Sequence, residues 1–271
     1  MCSSDLRAAL AEADVLLATW GMPKLDAEFL EAAPRLKAVF YAAGSVKCFA
    51  TPESYKRGIL ISSAWQANAI PVAEYSHGAI LLGLKGFWNS QRLARAGKFE
   101  HQNHTVAGAF HSNVGLVSLG AIGRLVAGHL SRQEINILAY DPFAKPAEAA
   151  SLGVSLVSLE EVFAKCHVVS LHTPWLPETE KMITAPLLRS MLPGATLLNT
   201  SRGAVIDEAA LCTVLAERPD ITAVLDVTHP EPPLPDSPLR TLENVVLTPH
   251  IDRKRTRLNS SHANISNAVF C

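Results

Sequence analysis

Arg202, Glu231 and His250 are the residues of this chain best suited to proton and anion chemistry. Each follows an apolar run that reads as a strand, at 195–199, 221–225 and 244–247. A histidine titrates near neutral pH and is the usual proton carrier in catalysis. A carboxylate beside it fixes the ring and raises its proton affinity. An arginine grips a planar carboxylate through paired N–H groups. These three types suit a reaction in which a hydroxyl loses its proton while its carbon loses a hydride.

A hydride needs an acceptor, and the stretch Val114–Asp141 offers a place for one. An apolar strand runs into Ser118-x-Gly120-x-x-Gly123, an amphipathic helix follows, and a second strand ends at Asp141. Glycines let the backbone approach a pyrophosphate, and the helix N-terminus turns its free N–H groups toward it. An acid about 20 residues on accepts the ribose hydroxyls. This is the arrangement of a dinucleotide site, and Asp141 would repel a 2′-phosphate, which favours NAD. One fingerprint glycine is missing. Ser118 holds the tight-turn position, where a serine needs a negative φ or accepts strain, so a weakened site is expected.

Strands that end at one edge must position these groups. Residues 7–95 alternate helices (7–13, 26–33, 52–57) with strands (15–18, 36–41, 59–62) and close on a long apolar helix, 70–84. Residues 96–112 are polar and irregular and read as a link; His101, His104 and His111 within them lack the spacing and partners of a metal site. From Val114 the strands 114–119, 135–140, 154–157, 167–171, 195–199, 221–225 and 244–247 alternate with helices. The fold class is α/β, a doubly wound parallel sheet of Rossmann type, with ligands gathered at the carboxyl ends of the strands.

With 48% apolar residues in a 271-residue chain, a large core and two domains are expected. A net charge of −1 gives no basic surface for nucleic acid or membrane. Cys48, Cys166 and Cys212 lie far apart and read as reduced core thiols, which points to the cytoplasm. Trp65 and Trp175 read as packing residues. The ends look foreign. Asp252–His262 and Ile265–Cys271 each differ by one residue from the translation of a common sequencing-library adapter. Met1–Leu6 matches the same adapter on the opposite strand. Residues 1–6 and 252–271 are therefore expected to be non-native, around a reading frame cut at both ends, and the tail 252–271 is expected not to pack.

The chain resembles the D-2-hydroxyacid dehydrogenase family, which includes phosphoglycerate and glyoxylate/hydroxypyruvate reductases. The resemblance rests on Leu119-Gly120-Ala121-Ile122-Gly123, Ala139-Tyr140-Asp141-Pro142, Leu171-His172-Thr173-Pro174, Asn199-Thr200-Ser201-Arg202-Gly203, Asp226-Val227 with Glu231-Pro232, and Leu247-Thr248-Pro249-His250. Arg57-Gly58-Ile59 and Asn68 with Val72-Ala73-Glu74 extend it into the first half. It implies an incomplete flavodoxin-like substrate domain (7–95) and an NAD-binding domain with linker (96–251). Arg202 would bind the carboxylate and keto oxygen of a small 2-hydroxy or 2-keto acid. His250 would be the acid/base and Glu231 its partner, while Gly44 and Ser45 would offer backbone N–H groups to the carboxylate. Val72, Gly120, Ala121, Ile122, Gly123, Asp141, Thr200 and Asp226 would line the cofactor, with Asp226 near the nicotinamide amide. His172 would touch it from its strand end, and Pro174 and Thr179 would flank the adenosine. A homodimer formed through the NAD-binding domain is implied as well.

The family also departs from this chain. Lys47 stands where an Asp is usual, and the small residues expected after the catalytic histidine are absent. Transcriptional corepressors share the scaffold, so a non-catalytic NAD-binding regulatory module is the alternative reading.

Overall fold

Short apolar strands separated by helices make two parallel sheets, one in each of two units. The first unit ends at Ile70 and the second begins at Pro71. The structure, a computed structural model, describes residues 4–99 and 106–252. His101, His104 and the segment beyond Asp252 lie outside the described residues.

In the first unit, α1 (Ser4–Glu12), α2 (Ala27–Ala32) and α3 (Pro52–Lys56) accompany β1 (Val15–Ala18), β2 (Ala38–Tyr41) and β3 (Leu60–Ser63), paired in that order. Thr51 and Ser54 cap the start of α3 reciprocally, and Gly58 follows the helix at φ +75, where only glycine is unstrained. The core gathers Leu16, Leu25, Val39, Tyr41 and Phe49, with the last two rings 4.8 Å apart. The strands are buried on one side only. Val15, Leu17, Phe40 and Leu60 are 39–63% exposed, and the register sets Leu17 beside Phe40. An exposed apolar strand face of this kind favours association.

α4 (Trp65–Leu84) links the units, followed by α5 (Phe87–Arg95). The second unit then alternates β4 (Asn113–Val117), α6 (Ala121–Leu130), β5 (Asn136–Tyr140), α7 (Pro146–Ser151), β6 (Val154–Leu156), α8 (Leu159–Lys165), β7 (Val168–Leu171), α9 (Ala185–Arg189), β8 (Thr196–Asn199), α10 (Glu208–Glu217), β9 (Thr222–Leu225) and β10 (Val245–Leu247). Its seven strands run parallel in the order β10-β9-β8-β7-β4-β5-β6. The order reverses between β4 and β7, which opens a crevice at their carboxyl ends. Val169, Leu171, Leu197, Ala223 and Leu225 pack toward Phe163, Leu188 and Leu211. Their strand neighbours Val168, Leu198 and Val224 pack the other way, toward Ile80, Val126 and Leu130. This period of two buries both faces, hence the continuous apolar strands. A Cβ on Gly115 would lie 2.5 Å from Val162, so glycine lets α8 close on β4. No helix among the described residues is long and apolar enough to cross a membrane.

Several local expectations change. α4 starts at Trp65 rather than Ile70, because a proline marks a helix start in sequence while here Pro71 lies inside the helix. α5 has no counterpart in the sequence pattern; Gly86, at φ +58, separates it from α4. Most of α4 packs on the large sheet, whereas the sequence pattern carries the first domain to residue 95. Cys48 is exposed rather than a core thiol, while Cys166 is buried and its thiol is pushed up to about 12 by desolvation. Trp65 and Trp175 are about half exposed rather than packed inside. Asp252, assigned from sequence to an unpacked tail, is 5% exposed.

Candidate active site

β8, β9 and β10 are parallel neighbours whose last residues lie in register. The segments leaving them, which carry Arg202, Glu231 and His250, therefore emerge side by side. His250 Nδ1 lies 2.5 Å from Glu231 Oε1. The histidine side chain is 12% exposed and the glutamate 42%, so the ring is enclosed while its partner touches solvent. A carboxylate there favours a proton on Nδ1. Asp252 Oδ1 stands 3.8 Å from Nε2.

The backbone at His250 is left-handed, φ +53, a strained conformation for a histidine. Asp226 holds it there. Its buried carboxylate accepts from Thr248 Oγ1 (2.5 Å), Ile251 N (2.9 Å) and Asp252 N (3.1 Å), and its carbonyl accepts from His250 N (3.0 Å). The single proton of Thr248 goes to Asp226, so the Tyr75 hydroxyl, 3.2 Å away, donates to Thr248. Burial, above all, raises the Tyr75 phenol further, which keeps that donor protonated.

Arg202 is set by its own turn. Asn199, fully buried at the end of β8, donates Nδ2 to the Arg202 carbonyl (3.0 Å) and accepts from Ser201 N and Oγ (3.0 and 2.8 Å). Arg202 Nη1 donates to the Ser201 carbonyl at 2.6 Å. Gly203 then passes against the Thr228–His229 backbone so closely that a Cβ would sit 2.0 Å from Thr228 C.

The glycine turn fits a dinucleotide. Gly120 is the N-cap of α6 and gives it no side-chain acceptor, so the first-turn N–H groups suit an anion. A Cβ on Gly120 would meet nothing nearer than 3.9 Å, which leaves that side open to a ligand. One on Gly123 would lie 2.2 Å from the Ser118 carbonyl, so glycine permits the strand–helix contact. Ala121 and Ile122 are half-buried in the same turn. Ser118 takes the strained alternative, φ +82, and β4 ends one residue earlier than that turn. The Asp141 carboxylate accepts from Leu119 N, Phe143 N and Ala144 N at 2.7, 2.8 and 3.0 Å. Thr179 Oγ1 donates to the Pro174 carbonyl at 2.6 Å, which brings those two together. Thr200 is buried against Ser76, 3.0 Å between hydroxyls, and Val72 is buried on α4. In the first unit Gly44 packs near Asn68, and exposed Ser45 accepts from Lys47 N at 3.4 Å.

His172 is buried, with Nε2 3.0 Å from Ser170 Oγ and, among the described residues, no hydrogen-bond partner at Nδ1. Burial pushes its pKa down to about 4, so it is neutral at pH 7. The unfolded chain then binds the extra proton, and stability is lost as pH falls from about 6.5 toward 4. Urea unfolding at pH 5 should give a stability about 2 kcal/mol below that at pH 7.5 from this group. The pH difference should shrink by about that amount in His172→Gln; an unchanged difference would refute the assignment.

Sequence reading does not single out Tyr75, Ser76 or the Asp252 carboxylate. Tyr75 and Ser76 find their partners 173 and 124 residues away, and no spacing in the chain announces such pairs. Trp175 Nε1 donates to Glu180 (3.2 Å) and its ring meets His229 edge-on at 5.2 Å, an order within the Pro174 loop that the sequence pattern does not announce either.

The chain is similar to known proteins. Residues 77–252 match the family model described as D-isomer specific 2-hydroxyacid dehydrogenase, NAD binding domain. The chain is 35% identical over 248 residues to D-3-phosphoglycerate dehydrogenase of Mycobacterium leprae, covering 92% of this chain and 47% of that protein. It is 35% identical over 230 residues to glyoxylate reductase of Korarchaeum cryptofilum, covering 83% of this chain and 69% of the relative. The TT0316 protein of Thermus thermophilus superposes with a TM-score of 0.77 at 29% identity, over 98% of this chain and 85% of that one. The chain spans about half the length of the curated phosphoglycerate dehydrogenases it matches. A Rossmann-type parallel sheet, a glycine turn open to a dinucleotide, a histidine–glutamate pair at the neighbouring strand ends and a match over residues 77–252 lead to one conclusion: the chain belongs to the D-isomer specific 2-hydroxyacid dehydrogenase family and carries its NAD-binding domain.

Proposed function

We propose that this chain interconverts a small 2-keto acid and its 2-hydroxy acid, with NAD(H) as the redox partner. The pairing of His250 Nδ1 with Glu231 at 2.5 Å carries the reading. Bound NAD(H) supplies or accepts the hydride at the substrate carbon. In reduction, His250 gives its Nε2 proton to the keto oxygen; in oxidation, neutral Nε2 takes the hydroxyl proton. Glu231 stabilises the charged ring, and the Asp252 carboxylate, 3.8 Å from Nε2, has to yield that position to the substrate oxygen. Arg202 grips the substrate carboxylate. Gly44 and Ser45 are assigned backbone N–H donation to the same group.

On the cofactor side, Gly120 to Gly123 receive the pyrophosphate and Asp141 the adenosine ribose, with Pro174 and Thr179 flanking the adenosine. Val72, His172 and Thr200 complete the wall, and Asp226, which already orders the His250 segment, is placed by the nicotinamide amide. A homodimer belongs to the same proposal, and its check is a light-scattering mass twice that of the chain.

The test is NADH oxidation against a panel of 2-keto acids. Turnover of at least one, lost without a carboxylate on the substrate, supports the reading. NADH binding with no turnover of any would sink it in favour of a regulatory module.

A further inference from the structure

We propose that the Ser118 hydroxyl is a built-in competitor for a ribose hydroxyl at Asp141, so that this one side chain limits the affinity of the site for the dinucleotide. The proposal rests on the reading of Gly120–Asp141 as the adenosine end of the cofactor site.

A carboxylate offers about four acceptor positions, two on each oxygen. At Asp141, Oδ1 takes the N–H groups of Phe143 and Ala144, at 2.8 and 3.0 Å. Oδ2 takes the Leu119 N–H at 2.7 Å and the Ser118 hydroxyl at 3.4 Å. All four positions are filled from within the chain. Three of the donors are backbone groups fixed by the turns they belong to. The fourth, Ser118 Oγ, is the longest contact and the only one of the four on a side chain that can rotate. A ribose hydroxyl that donates to Asp141 therefore takes the place of the serine hydroxyl.

Two further observations put the same hydroxyl in the ligand's path. A Cβ built on Gly120 would meet Ser118 Oγ first, at 3.9 Å, so the hydroxyl borders the open side of the glycine turn. The left-handed backbone at Ser118, φ +82, holds the side chain there. A glycine would keep the same turn without strain and without a side chain.

The experiment is NADH titration of the full chain by fluorescence, with Ser118→Ala and Ser118→Gly, beside thermal unfolding without cofactor. Both variants should bind NADH about 3- to 10-fold more tightly, the worth of one net hydrogen bond. ADP-ribose should show the same gain and nicotinamide mononucleotide none. Only Ser118→Gly should raise Tm, because only it relieves the backbone. In an Asp141→Ala background, Ser118→Ala should leave the Kd unchanged. If wild type binds NADH but Ser118→Ala binds it no better, the hydroxyl is not the competitor and the proposal is overturned. A gain in Ser118→Gly alone would assign the effect to strain and overturn it too. Absence of NADH binding in every variant would instead overturn the cofactor reading, and the proposal with it.

Discussion

Replacing His250 with alanine is expected to lower kcat for 2-keto acid reduction about 10²- to 10⁴-fold. In the proposed relay Glu231 orients the imidazole to deliver a proton from an enclosed position, with Nδ1 2.5 Å from the carboxylate and the ring 12% exposed. Water replacing it would be neither oriented nor acidic enough. Glu231→Gln should cost less, because the ring stays in place, but it should change the pH profile. Loss of the carboxylate lowers the proton affinity of His250, and reduction needs the protonated ring. The limb on which reduction falls with rising pH should therefore move to lower pH. Arg202→Ala should act mainly on substrate use, raising KM more than it lowers kcat, since its proposed task is to hold the carboxylate. Near-native kcat in His250→Ala across the pH range would end the proton-relay assignment.

Gly203→Ala should destabilise the second unit by about 3 kcal/mol or more, although it adds a single methyl group. The new Cβ would lie 2.0 Å from Thr228 C, 2.3 Å from its carbonyl oxygen and 2.5 Å from His229 N. These are backbone atoms and no side-chain rotation can relieve them. The contact also ties the turn that carries Arg202 to the segment that runs on to Glu231, so relaxation there shifts one segment relative to the other. A Tm drop of about 6–12 °C is expected, with kcat/KM falling further than the loss of folded protein explains. Gly128→Ala is the control. That glycine lies within α6 with nothing within 4 Å of its missing Cβ, and the same change there should stabilise by up to about 1 kcal/mol. If Gly203→Ala melts within a degree of the parent, the close approach of the two segments is not real.

The sequence by itself is enough for the alternation of strand and helix, the parallel class of the sheet, the glycine turn and the three residues proposed to act on the substrate. Each of these is written in short-range signals: apolar runs with polar residues at their ends, and glycines at fixed offsets. Because the strands are parallel, those polar residues all reach one edge, which is why the chain pattern alone groups Arg202, Glu231 and His250. Long-range packing settles the rest. The start of α4 at Trp65 is hidden by Pro71, whose local meaning as a helix start gives way to tertiary contacts. The sequence leaves Ser118 a choice between negative φ and strain; the structure takes strain, with the hydroxyl turned to Asp141, 23 residues on. The chain of Tyr75, Thr248 and Asp226 that holds the His250 backbone joins a helix to two strand ends far apart in sequence. Asp252, which the sequence pattern assigns to an unpacked tail, is buried beside that histidine because Asp226 captures its backbone N–H. Spacing along a chain reports which residues share an edge, whereas the donors that fill a buried carboxylate depend on which segments the completed core brings together.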